Sequence, residues 1–204
     1  MKNLTIKEFA ELTASKSAVP GGGSVSALCG GLAAALTEMV ANLTIGNKKY
    51  PKAELHLCDV PEKAARIRME LLEHIKKDSD AYMQVMNAYK LPKGTKEKKD
   101  ARADAIQESL KTAATVPMEI ASLAYEVLKL SKVVVEHGNK NAVTDGMVSA
   151  MLARSSALGA LMNVKINLGL IKDHDFVANM IEKADSLQDK CNAEEKNILN
   201  GVKL

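Results

Sequence analysis

The chain has 204 residues, 47% of them apolar, yet only two Phe, four Tyr and no Trp. A β-sandwich or barrel of this length draws on more aromatic and β-branched side chains, so the Ala-, Leu- and Met-rich composition excludes an all-β architecture and favours closely packed helices. With 28 basic against 25 acidic residues, and with acids interleaved even through the lysine-rich stretch Lys93–Lys111, no basic stripe suited to nucleic acid stands out.

Thr5-x-x-Glu8 has the form of a capping box and opens a short first helix. Met1–Lys16 contains Glu8 and Glu11 and no apolar run, unlike a secretory leader. The turn Pro20-Gly21-Gly22-Gly23-Ser24 launches a second helix, expected to reach Ile45 and close at Gly46. Ser17–Thr37 is uncharged, but its first third cannot be helix interior. The remainder meets Glu38 after about fourteen residues, fewer than the roughly 20 that span a bilayer. The expectation is therefore a buried helix and no membrane partner. Ser26, Gly30 and Ala34 recur every fourth residue, a stripe of small side chains against which another helix can pack closely.

Asp59 and Pro61 start a third helix that runs to Lys90, before the turn Leu91-Pro92-Lys93-Gly94. Thr95 caps a fourth, which Pro117 is expected to kink or divide. His137–Asn141 reads as a loop, Thr144 as the cap of a fifth helix to Leu168, and Asp173 as the cap of a sixth that frays near Gly201. No stretch alternates convincingly at period two. The expected fold is all-α, a single-domain antiparallel bundle of about six helices over residues 1–204. Cys29, Cys58 and Cys191 are odd in number and far apart, without metal-ligand or disulfide-framework spacing. They read as reduced thiols of a cytoplasmic protein, and no metal is expected.

Three places put polar groups where a bundle calls for apolar ones or leave backbone groups open. On the third helix, Leu71, Asp78 and Val85 are seven apart, with Ile75, Tyr82 and Tyr89 in the neighbouring row. Asp78 thus occupies a core position, where a carboxylate must be paired, hydrogen-bonded or shifted in proton affinity. It is either a functional acid/base or a structural partner to a lysine or a helix cap. On the fifth helix, Ser149, Ala153, Ser156, Ala160, Asn163 and Asn167 share a small, polar face, opposite Met151, Leu158, Met162 and Ile166. That face either holds a polar ligand through amide groups or bridges helices. The Gly21-Gly22-Gly23 turn leads into a helix N-terminus, where free N–H groups favour an anion or carbonyl oxygen, although it lacks the ending of a nucleotide-binding loop. Lys48 and Lys49 follow the second helix and offer charge to a carboxylate-rich ligand, or simply face solvent.

Taken together, Pro20-Gly21-Gly22-Gly23-Ser24, Glu38-Met39-Val40-Ala41-Asn42, Asp78 with Ala81-Tyr82, Leu91-Pro92-Lys93, Ala105-Ile106-Gln107, Val116-Pro117, Gly138-Asn139, Asp145 and Asn163-Val164-x-Ile166-Asn167-Leu168 resemble one family. It is the cyclodeaminase domain of formiminotransferase-cyclodeaminase with its free-standing relatives, some of which are methenyltetrahydrofolate cyclohydrolases. The chain looks like the stand-alone form. The resemblance implies a helical homodimer acting on a tetrahydrofolate derivative as substrate, with no tightly bound cofactor. The expected activity is closure of 5-formiminotetrahydrofolate to 5,10-methenyltetrahydrofolate with loss of ammonia. The alternative is interconversion of the methenyl and 10-formyl forms.

Both reactions pass through a tetrahedral carbon between two folate nitrogens and need one proton shuttle with oriented donors. The resemblance matches that shuttle to Asp78. Gly22, Gly23 and Ser24 are then candidates for holding a substrate carbonyl or carboxylate through their N–H groups. Asn139, Asp145, Asn163 and Asn167 are candidates for the pterin edge, Lys48 and Lys49 for the glutamate tail, and Tyr82 for the nearest ring. The competing readings are a non-catalytic helical scaffold and a folate binder without turnover.

Overall fold

The computed structural model of the chain describes residues 4–203, and among them there are helices and turns but no strand. In chain order the elements are α1 (Ile6–Thr13), α2 (Gly22–Asn42), α3 (Glu54–Leu57), α4 (Val60–Tyr89), α5 (Lys96–His137), a 3-10 turn (Lys140–Ala142), α6 (Val143–Leu168) and α7 (His174–Asn200). Leaving aside the four-residue α3, the described residues form the six helices expected from the sequence. The capping box is present: the Glu8 N–H donates to Thr5 Oγ1 at 3.2 Å, and the Thr5 N–H donates to Glu8 Oε2 at 2.7 Å. Thr95 and Asp173 cap α5 and α7 by accepting from the Lys98 and Phe176 N–H groups.

Four details differ from the sequence expectations. α2 stops at Asn42 instead of Ile45, and the chain unwinds through turns in which Gly46 adopts the left-handed φ of +75°. α6 starts at Val143, not behind Thr144, because the 3-10 turn feeds straight into it and is itself capped by Asn139 Oδ1 accepting the Asn141 N–H. The short α3, which buries Leu57, is too brief to leave a periodic signal. Most notably, α5 continues unbroken through Pro117. A proline removes the hydrogen bond to the carbonyl four residues back, here that of Ala113. Asn167 of α6 donates its Nδ2 to that carbonyl at 2.7 Å, so the freed group is satisfied from another helix.

α2 lies between α4 and α6 and runs antiparallel to both. Ser24 meets Asp78 at one end of the α2–α4 pair, and Glu38 pairs with Arg68 at the other. Small residues set these distances. A Cβ on Gly30 would come within 2.7 Å of Ser156 Oγ and 3.1 Å of Leu71 Cδ1, so that position admits only glycine without movement of both neighbours. α5 closes the core behind α2. Thr37, Ser131 and Ser149, from α2, α5 and α6, form a fully buried hydroxyl triad with O···O distances of 2.8–3.1 Å. Ser131 and Ser149 donate onward to the carbonyls of Val127 and Ala33, which leaves Thr37 to donate within the triad. The core is built of Ala and aliphatic residues, among them Leu71, Ile120, Leu128 and Leu161, and burying each Leu or Ile contributes about 1.5–3 kcal/mol.

The small polar face of α6 points inward, and the apolar row points out. Met151, Met162 and Ile166 are 44, 55 and 74% exposed, beside Val25, Leu32 and Met39 on the outward face of α2. α2 and the stretch Lys140–Leu168 are each long and apolar enough to cross a membrane by length and composition alone, with 56% and 44% of their apolar windows buried inside the bundle. α2 has 21 residues and carries Glu38 within it, so its uncharged part ends at Thr37, as the sequence indicates. Cys29, Cys58 and Cys191 are all free thiols, and burial pushes Cys191 up to about 11.

Candidate active site

Asp78 sits midway along α4 with its side chain turned toward the first turn of α2. Its Oδ2 accepts from Ser24 Oγ at 2.8 Å, and the carboxylate also accepts the Ser24 backbone N–H. Ser24 is fully buried, and its hydroxyl lies within 3.1–3.2 Å of the Ile75 carbonyl and Ser79 Oγ as well. The open N–H end of α2 is therefore met by a carboxylate of the same chain, in the arrangement that helix N-termini favour. Gly23 makes this approach possible: a Cβ there would fall 2.1 Å from Asp78 Oδ1 and 2.6 Å from its Cγ.

Burial raises the Asp78 carboxyl above the usual aspartate range, opposed by the two hydrogen bonds from Ser24 and by the nearby His74. A half-buried acid with raised proton affinity, oriented on one side by a helix terminus, has the properties of a group that takes and returns a proton.

Asn163 completes this end of the bundle from α6. Its Nδ2 donates to the Gly159 carbonyl at 2.8 Å and would lie 3.1 Å from a Cβ on Gly22, so its amide stands against the Gly22 backbone. One turn on, Asn167 Nδ2 donates to the carbonyls of Ala113 and Asn163, which commits both amide hydrogens and leaves its Oδ1. Tyr82, one turn beyond Asp78 on α4, is 38% exposed, and Tyr89 is further out with Arg102 over its ring. The row containing Ile75 thus turns from the core to the surface as it passes the acid.

The remaining sequence candidates gather at the other end of α2, about 31 Å away at 1.5 Å per residue. Lys48 and Lys49 are exposed in the turns that follow α2, and Asp145 is half-buried in the first turn of α6. Asn139 Oδ1 accepts from Tyr50 Oη and the Asn141 N–H, both at 3.0 Å, and its own N–H donates to Thr44 Oγ1. Within one chain, then, Gly22, Gly23, Ser24, Asp78, Asn163 and Asn167 come together, while Lys48, Lys49, Asn139 and Asp145 do not join them.

Sequence reasoning missed Ser79, His74 and Glu119. His74 Nε2 bonds Glu119 Oε2 at 3.0 Å, and Lys77 bonds the same oxygen. His74 lies four residues before Asp78, so the helical period alone pointed to it. Glu119 comes from α5, and no local pattern announces it. Among the described residues, no three or more His, Cys, Asp or Glu side chains are grouped to hold a metal ion.

A sequence profile described as formiminotransferase-cyclodeaminase matches residues 5–186. A protein of Methylorubrum extorquens named methenyltetrahydrofolate cyclohydrolase is 39% identical over 201 residues, which covers 98% of this chain and 97% of that one. The Gallus gallus formimidoyltransferase-cyclodeaminase is 34% identical over 168 residues, 82% of this chain but 31% of the larger protein. Among solved structures, formiminotetrahydrofolate cyclodeaminase from Thermotoga maritima matches with a TM-score of 0.86 at 32% identity, covering 98% of both chains.

Proposed function

The chain belongs to the formiminotransferase-cyclodeaminase family, and from that premise we propose that it is a methenyltetrahydrofolate cyclohydrolase whose proton shuttle is Asp78. The observation that carries this reading is the match, over nearly the whole of both chains, to a relative bearing that name. The chemistry fits the acid at the α2 terminus. Water adds to the methenyl carbon between the two folate nitrogens, and Asp78 accepts the proton that the water releases. The tetrahedral carbon then breaks its bond to N5 as its hydroxyl becomes the formyl carbonyl: Asp78 returns its proton to N5, the hydroxyl proton leaves to solvent, and the formyl group stays on N10. No electrons change hands, so the step requires no redox cofactor. Partial desolvation raises the proton affinity of Asp78 above that of an ordinary aspartate, the direction that helps it hold the proton between the two transfers.

The second reading, formiminotetrahydrofolate cyclodeaminase, is favoured by the name of the Thermotoga maritima structure. There N10 attacks the formimino carbon, and Asp78 carries the N10 proton to the departing ammonia. In either case the Gly22–Gly23–Ser24 turn and the Asn163 and Asn167 amides serve as donors and acceptors along the pterin edge, with Tyr82 at the margin of the site.

Lys48 and Lys49 reach the substrate's glutamate tail only if a second chain supplies them. The outward faces of α2 and α6 offer the surface for that: Val25, Leu32, Met39, Met151, Met162 and Ile166 are all more than a third exposed. An antiparallel two-fold pairing on this face lays the lysine end of one α2 beside the Asp78 end of the other. Asn139 and Asp145 of one chain then border the site of its partner. The protein we propose is accordingly a homodimer of the cytoplasm with composite sites.

The decisive experiment supplies the purified protein separately with methenyl- and formimino-tetrahydrofolate and follows the methenyl absorbance and free ammonia. Methenyl loss without ammonia supports the cyclohydrolase. Ammonia release with methenyl gain replaces it with the cyclodeaminase. Folate binding without turnover, or no binding, rejects both.

A further inference from the structure

His74 is 12% exposed and hydrogen-bonds at both ring nitrogens, Nδ1 to the Glu70 carbonyl at 2.7 Å and Nε2 to Glu119 Oε2 at 3.0 Å. A carbonyl oxygen only accepts, and so does an ionised carboxylate. Burial tends to raise the Glu119 carboxyl, but its bonds to Lys77 and His74 hold it below the ordinary glutamate range, so it is the anion. Only the doubly protonated ring donates to both partners at once. The ring lies one helical turn from Asp78 on the same side of α4, where side chains four apart are some 5–6 Å from each other at Cβ.

We propose that His74, held as an imidazolium between Glu119 and the Glu70 carbonyl, is a positioning residue whose charge sets the proton affinity of Asp78. The proposal rests on the reading of Asp78 as the proton shuttle. The ring does not touch the α2 terminus and acts only through the acid. Its charged neighbours are Glu70, Glu73, Lys76, Lys77, Asp78 and Asp80 on α4, Glu119 on α5, and Lys183 of α7. Asp78 accepts from Ser24, and His74 is the cationic side chain that acts on it electrostatically. Burial pushes the acid toward its neutral form, and the imidazolium pulls it back toward the carboxylate. That tension keeps the group usable in both directions of proton transfer.

The test is the pH dependence of kcat/KM for the wild type, His74→Gln, His74→Lys and Asp78→Asn. The limb that disappears in Asp78→Asn belongs to the shuttle. His74→Gln should move that limb upward by about one pH unit, the scale of a partly screened Coulomb interaction between side chains one helical turn apart. His74→Lys, which keeps a charge, should leave it near the wild-type position. A purely structural role for His74 would lower the melting temperature without moving the limb, and an unmoved limb in a folded His74→Gln overturns the proposal. Undiminished turnover in Asp78→Asn instead removes the reading beneath it. Should His74→Gln not fold, the ring nitrogens of the wild type decide the matter by 15N NMR: double protonation at the pH of maximal turnover is expected, and a neutral ring there rejects the assignment.

Discussion

Because burial raises the Asp78 carboxyl and Ser24 and His74 only partly oppose it, the folded chain keeps a proton there at pH values where the unfolded chain has lost it. Stability then falls as pH rises from the ordinary aspartate value through the raised one, and is level above it. Asp78→Asn preserves shape and an oxygen for Ser24 while removing the charge. It should raise the melting temperature at neutral pH, by a margin that vanishes in acid, while turnover drops by about 10²- to 10⁴-fold. Thermal melts across the pH range check the first part, and a lower neutral-pH melting temperature than wild type contradicts it. Gly23→Ala tests the same contact from the other side, since its Cβ would sit 2.1 Å from Asp78 Oδ1. It should cost about 1–3 kcal/mol by overpacking and displace the acid. Gly94→Ala meets no atom within 4 Å and serves as the neutral control. Asp78 was legible in the sequence because it interrupts an apolar seam. What meets the glycine turn was not, because the partner of the open Ser24 N–H is that same carboxylate, 54 residues further along the chain.

Helix existence was readable wherever caps and periodicity agreed, as at Thr5, Thr95 and Asp173. That α5 is not divided at Pro117 has a different origin. The proline rule is local, and its exception depends on Asn167, which reaches the Ala113 carbonyl from α6. The same observation assigns Asn167 a structural task whatever it does toward substrate. Asn167→Ala should leave that carbonyl without its donor and cost about 1–3 kcal/mol. Pro117→Ala restores a backbone N–H four residues along, so in that background the loss of Asn167 should cost much less. A double-mutant cycle measured by chemical denaturation gives the coupling directly. Additive effects would show that the two residues do not compensate each other. On α6 the serines likewise proved to be bridges between helices: Ser149 completes the hydroxyl triad, and Ser156 Oγ donates to the Ser26 carbonyl at 2.7 Å. Periodicity placed them on one face, but only the packing decides between ligand and neighbouring helix.

At the scale of the whole molecule, the candidate residues divide between two ends of α2 that lie about 31 Å apart, and an apolar face joins those ends on the outside. That division is invisible to a sequence reading, which treats Lys48, Lys49 and Asp78 as members of one site without a distance between them. An antiparallel dimer on the α2–α6 face reconciles them, and its consequences separate into two measurements. Leu32→Glu with Met162→Glu places charges on two residues that are 49 and 55% exposed. It should convert a dimer to a folded monomer by light scattering, because charges buried in an apolar interface are not tolerated. The second measurement asks whether sites are shared. Asp78→Asn and Lys48→Glu/Lys49→Glu proteins, each with little activity on a polyglutamylated folate, are mixed under conditions of subunit exchange. In a mixed dimer, one site then combines the intact acid of one chain with the intact lysines of the other. Random exchange should restore about a quarter of wild-type turnover, since half the dimers are mixed and each holds one complete site out of two. If acid and lysines serve one site within a chain, every chain in the mixture carries a lesion in its own site, and no activity returns.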